Sequence, residues 1–150
     1  MPRRFNNDEL RPWEKVEYRR RDFYIYEAVV AALGVGLSAN DVINIEADSD
    51  FILQKLTFEA DIAGAAQTEA TRIIPNVLVQ LTDTGSGRQL MQNPIPVSSF
   101  FGIGAIPFIL PNPRLFMRNS TIQIAFTSFE AAITPDVRLA FIGYKIYGTA

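Results

Sequence analysis

The side chains best placed to do chemistry are three carboxylates at alternate positions, Glu46, Asp48 and Asp50. Paired carboxylates can cleave a glycosidic bond or hold a calcium ion through oxygen. Here they flank Asp48-Ser-Asp-Phe, and short polar side chains in such a run bond neighbouring backbone amides. A turn is therefore expected, and the segment has neither EF-hand spacing nor enough oxygen ligands for a metal site. A second candidate is Asp83-Thr84-Gly85-Ser86-Gly87-Arg88, which has the Asp-Thr-Gly of aspartic proteases and the glycines of a phosphate loop. A phosphate loop needs Gly-Lys-Ser/Thr and a following helix, whereas Arg88-Gln-Leu-Met-Gln runs on into prolines. An aspartic protease of this length would have to dimerise to place Asp83 in a dyad. An Asp followed by two glycines predicts a hairpin turn. Lys145, between Tyr144 and Ile146, would be a Schiff-base nucleophile only if burial lowered its pKa. A solvated or ion-paired strand lysine is expected instead.

Two absences narrow the chemistry further. The 150-residue chain has no cysteine and no histidine. Disulfides, thiolate nucleophiles, zinc clusters and a Ser-His-Asp site are excluded. The usual acid–base side chain near neutral pH is missing as well. No catalytic residue, metal ligand or cofactor is expected, and the chain reads as something other than an enzyme.

Charge is spread unevenly. Residues 1–22 hold seven basic and five acidic side chains, a net of +2, and the remainder carries −4, for −2 overall. Arg72, Arg88, Arg114, Arg118 and Arg138 are scattered and form no basic stripe, so no nucleic-acid partner is expected. The apolar run from Ile25 to Leu37 is short and broken by Gly34 and Gly36, so no membrane span is expected. A hydrophobic fraction of 48% is ample for a core.

The elements that must position these residues read as strands. Residues 1–22 form an extended N-terminal arm whose aromatic and basic groups, Trp13, Tyr18, Arg19 and Arg20, suit docking on a neighbouring surface. Residues 23–150 form one domain. Phe23-Tyr-Ile-Tyr is β-prone, and Glu27 to Leu33 fits a short helix or a strand. Val42 to Ala47 alternates, and Ile52, Gln54, Leu56, Phe58, Ala60 and Ile62 are expected on one face of a long strand. Lys55, Thr57, Glu59 and Asp61 are expected on its wet face. Val77–Thr82, Ile122–Thr127 and Val137–Tyr147 are further strands. In the last, Val137, Leu139 and Phe141 give way to Ile142, Tyr144 and Ile146, and a bulge at Gly143 would explain the switch. A strand apolar on both faces is central in its sheet or covered by a partner. Five prolines in residues 94–113 exclude a central strand over most of that stretch. Its apolar residues suit a connection packed over an open end, or a contact surface. Seven or eight short strands punctuated by Gly, Pro, Asn and Asp predict an all-β fold, a single-domain β-sandwich or jelly roll.

Four segments carry a resemblance: Ile45-Glu-Ala-Asp-Ser-Asp-Phe-Ile-Leu-Gln-Lys-Leu, Leu81-Thr-Asp-Thr-Gly-Ser-Gly-Arg, Pro107-Phe-Ile-Leu-Pro-Asn-Pro-Arg-Leu-Phe and Phe141-Ile-Gly-Tyr-Lys-Ile. In pattern and order, from about Asn40 to Tyr147, the chain resembles the decoration or cement proteins of tailed-bacteriophage capsids, which have a jelly-roll-like fold. The resemblance implies a virion protein on the outer capsid surface that bridges subunits of the phage major capsid protein. It also implies a homo-oligomer, a dimer or trimer, and brings no catalytic residues. The arm lies outside the resemblance. From the residues themselves, the expected interface is Trp13, Tyr18, Arg19 and Arg20 with Phe100, Phe101, Phe108 and Phe116. The alternative is a glycan-binding β-sandwich module of a phage tail or fibre, using exposed aromatic rings as a stacking platform.

Overall fold

The computed structural model describes residues 20–64 and 69–147. Trp13, Tyr18 and Arg19 lie outside the described residues. Nine strands follow in order: β1 (Arg21–Val30), β2 (Ser38–Asn44), β3 (Asp50–Ile62), β4 (Val77–Asp83), β5 (Arg88–Gln89), β6 (Ile95–Pro96), β7 (Phe108–Phe116), β8 (Thr121–Ser128) and β9 (Pro135–Ile146). They form two antiparallel sheets, β1-β9-β3-β7 and β2-β8-β4-β5, with β6 also paired to β4. With β5 and β6 taken as one interrupted edge strand, this is the strand order of a jelly roll.

Period-two patterning sets the layers. Val77, Val79 and Leu81 of β4 and Ile122, Ile124 and Phe126 of β8 are buried, and they face Tyr26, Ala28, Val30, Val137, Leu139 and Phe141 of β1 and β9. Phe51, Phe116, Phe126 and Phe141 are the largest fully buried side chains. Complete burial of such a ring contributes about 1.5–3 kcal/mol. Glu27 to Val30 continues β1 as a strand, because every second residue is buried. The strand begins at Arg21, so the sheet reaches into the segment expected to be arm.

The switch of phase expected in β9 lies in β3 instead. The register of β3 breaks between Leu53 and Lys55 against both neighbours: against β9 Gln54 is an extra residue, and against β7 that one residue stands opposite residues 110–113. Phe51 and Leu53 therefore face inward before the bulge, and Leu56 and Ala60 after it. Strand β9 keeps one phase throughout, which turns Lys145 inward and Ile142 and Tyr144 outward. Gly143 is required for a different reason: a β-carbon there would lie 1.8 Å from the Ile52 carbonyl oxygen. Asp61 is not on a wet face; it is buried and ion-paired with Arg72 at 3.3 Å.

The proline-rich stretch divides in two. Val97 and Phe101 flank a single helical turn (α1, Val97–Phe100) and plug the core. Beyond it, β7 is a strand despite Pro111 and Pro113, but an edge strand whose register is interrupted there. Strand β9 is central, between β1 and β3.

Candidate interaction surface

The chemistry-bearing residues are spent on holding the sandwich together. Asp50 accepts hydrogen bonds from the backbone N–H of Arg118 at 2.9 Å and from its Nε at 3.2 Å, tying the start of β3 to the β7–β8 turn. Asp48 instead lies 3.5 Å from Lys145 Nζ, so the two aspartates serve different cations. Glu46 accepts a hydrogen bond from Lys145 Nζ and another from the Tyr24 hydroxyl at 3.2 Å. The ammonium also sits 4.0 Å from the centre of the Tyr24 ring.

Lys145 is only 3% exposed. Burial works to lower its pKa, but the Glu46 hydrogen bond and the charges of Tyr26, Asp48 and Glu46 outweigh it. The ammonium is held above lysine's ordinary value, the opposite of what a Schiff-base nucleophile needs. Burial likewise pushes the Tyr26 phenol up.

Asp83 is equally committed. Its carboxylate accepts from Gly85 N–H at 3.0 Å, the Ser86 hydroxyl at 3.0 Å and Arg114 Nη2 at 3.1 Å. Asp83 pairs with Arg88 across the β4–β5 hairpin, and Gly87 supplies the left-handed residue at φ +67°. Among the described residues, no group of three or more acidic side chains converges as a metal site. A groove beside β7, lined by Asp83, Arg88, Gln89, Asn112 and Arg114 among others, has no aromatic wall on which a sugar would stack.

The expected interface residues separate. Phe116 and Phe101 lie in the core, where Phe101 meets Phe141 edge-on at 6.0 Å, and neither has surface to offer. Phe100 is half-buried against Phe101. Phe108 is the one of the four that is exposed, at 37%. Arg20 pairs with Asp22 at 2.9 Å and stacks over Tyr147.

A surface that the sequence reading did not assemble lies on the outward face of β1-β9-β3-β7. Directly opposed residues in adjacent antiparallel strands point to the same side. One outward row is therefore Phe23–Tyr144–Ile52–Leu115, and the next is Ile25–Ile142–Lys55–Ile109. Phe23 is 71% exposed and Ile109 64%, at opposite edges of the sheet, while Ile52 between the edges is fully buried. The outward face of the other sheet is built differently: Asn40–Ala125–Gln80 and Val42–Gln123–Thr82. The available signal was that β1 and β9 are apolar in both phases, which marks an outer face wanting cover. No protein-family model matches the chain, and no curated protein matches it either.

Proposed function

We propose that this chain is a non-catalytic virion structural protein that decorates and cements a phage capsid, docking through the outward face of β1-β9-β3-β7. The observation that carries the reading is the pair of mainly apolar rows crossing all four strands of one sheet, opposite a sheet whose outward rows are mainly polar. Exposed large apolar groups gathered on one face, Phe23 and Ile25 at one edge and Ile109 at the other, mark contact with another macromolecule. Lys55 within the second row and Glu59 and Arg138 beside it supply polar groups for a rim. The four resembling segments give the partner its class, the major capsid protein. A standard interface covers about 1,600 Å² in total, and repetition over a closed shell turns modest affinity at each seam into avidity.

The test is cosedimentation of the purified chain with capsid shells assembled without it, followed by imaging of the particles. Stoichiometric, symmetric occupancy with this sheet facing the shell is the expected result. Absence of binding by the folded chain would overturn the reading.

A further inference from the structure

We propose that β1 pairs with β1 of a second copy of this chain, antiparallel about a two-fold axis, with Arg21 opposite Glu27 of the second copy and Phe23 opposite its Ile25. The inference stands on the edge of the sheet and does not rest on the capsid reading.

Hydrogen-bond parity identifies the open groups. The Tyr147 N–H donates to the Arg20 carbonyl at 3.0 Å, so even-numbered residues of β1 turn their backbone groups toward β9. Odd-numbered residues turn theirs to the other side, and the Val29 N–H on that side is taken by Asp41 Oδ2 at 2.9 Å. The edge left open is that of Arg21, Phe23, Ile25 and Glu27, and among the described residues the sheet ends there.

The other edges are blunted or short. Strand β7 has two prolines and a broken register, β5 and β6 are two residues each, and β2, seven residues in unbroken register along β8, has its outward-turned Val42 N–H taken by Asp41 Oδ1 at 2.8 Å. Strand β1 is ten residues long, with no proline and an unbroken register along β9. Long, flat, apolar edges are what natural sheets otherwise protect.

Charge and hydrophobicity then select the register. A two-fold axis makes the interface self-complementary. With Arg21 facing Glu27, each charge meets its opposite and Phe23 meets Ile25, using only the four open residues. Centring the pair on Ile25 would set Phe23 against Glu27 and call on Val29, which Asp41 already holds. Centring it on Phe23 would set Arg21 against Ile25. In the selected register each facing pair exchanges two backbone hydrogen bonds. The row Leu115–Ile52–Tyr144–Phe23 then runs on into the Ile25 row of the second copy, joining two apolar faces into one sheet.

Sedimentation equilibrium of the full chain tests this. The wild-type chain is expected to be a dimer. Arg21→Glu or Glu27→Arg places like charges face to face on both sides of the axis and should weaken the dimer on the order of tenfold. The double swap should restore it, and mixing the two single variants should give heterodimers in which every facing pair is again complementary. Ile25→Pro deletes an N–H that β9 does not use, and should give a monomer with unchanged circular dichroism. A wild-type monomer across the accessible concentration range overturns the proposal and leaves this edge to residues 1–19 or another protein. A dimer that the single swaps leave intact, or that the double swap fails to restore, overturns it as well.

Discussion

The two sheets are alike on the inside and opposite on the outside. Both turn Val, Ile, Leu and Phe inward at every second residue, as any sandwich core demands. Outside, β2-β8-β4 shows Asn40, Gln80, Thr82 and Gln123 to solvent, whereas β1-β9-β3-β7 shows Phe23, Ile25, Tyr144 and Ile109. Folding explains the inner layer and is indifferent to the outer one. The outer difference is the part of the molecule on which the docking proposal rests. Scattered surface apolar residues are ordinary, but large exposed ones gathered at both edges of one sheet face are not.

The largest effect sharpens the inside of that comparison. Phe116→Ala, in the shared core, should cost about 3–5 kcal/mol in urea unfolding. Asp83→Asn should cost about 1–3 kcal/mol by the same measurement, because Arg114 then faces a neutral group and Ser86 and Gly85 share a weaker acceptor.

Lys145 and Tyr26 give a pH signature at the end of the sandwich where β1 and β9 meet Glu46. Both have pKa values raised in the folded chain, from ordinary values of 10.5 and 10.0. As pH rises, the unfolded chain gives up these protons first, so their stabilisation is full below about pH 10 and declines above it. Thermal melting at increasing pH should steepen its fall there, and Lys145→Met should flatten the slope. The smallest effect contrasts the two outer faces directly. Phe23→Ser and Val42→Ser should each leave the stability of the fold within about 0.5 kcal/mol of wild type, since both side chains are exposed.

Much of the inner layer was legible in the sequence because alternation is local. Strands β4, β8 and the first half of β9 follow from period two, and the Asp83–Arg88 hairpin follows from its glycines. What was not legible depends on neighbours in space. The Gln54 bulge is set by how β3 registers against β7 and β9, so the faces of β3 exchange at a point that no run of its own residues announces. Asp61 reads as a surface carboxylate until Arg72 is brought beside it. Phe101 and Phe116 look like contact residues in a proline-rich stretch, and only the closing of α1 and β7 over the core distinguishes them from Phe108. The outward rows are the clearest case: Phe23 and Ile109 belong to one face only once β9 and β3 lie between β1 and β7.

The central claim is that one outer face docks and the other does not. Its most direct test is shell cosedimentation of Ile109→Glu and Val42→Glu, each placing a charge on an exposed position of one face. Ile109 lies on β7, at the far edge from β1, so pairing between copies is left untouched. Ile109→Glu should weaken binding to shells by about tenfold or more, with melting temperature unchanged, while Val42→Glu binds as wild type. Loss of binding by Val42→Glu with Ile109→Glu unaffected would contradict the account.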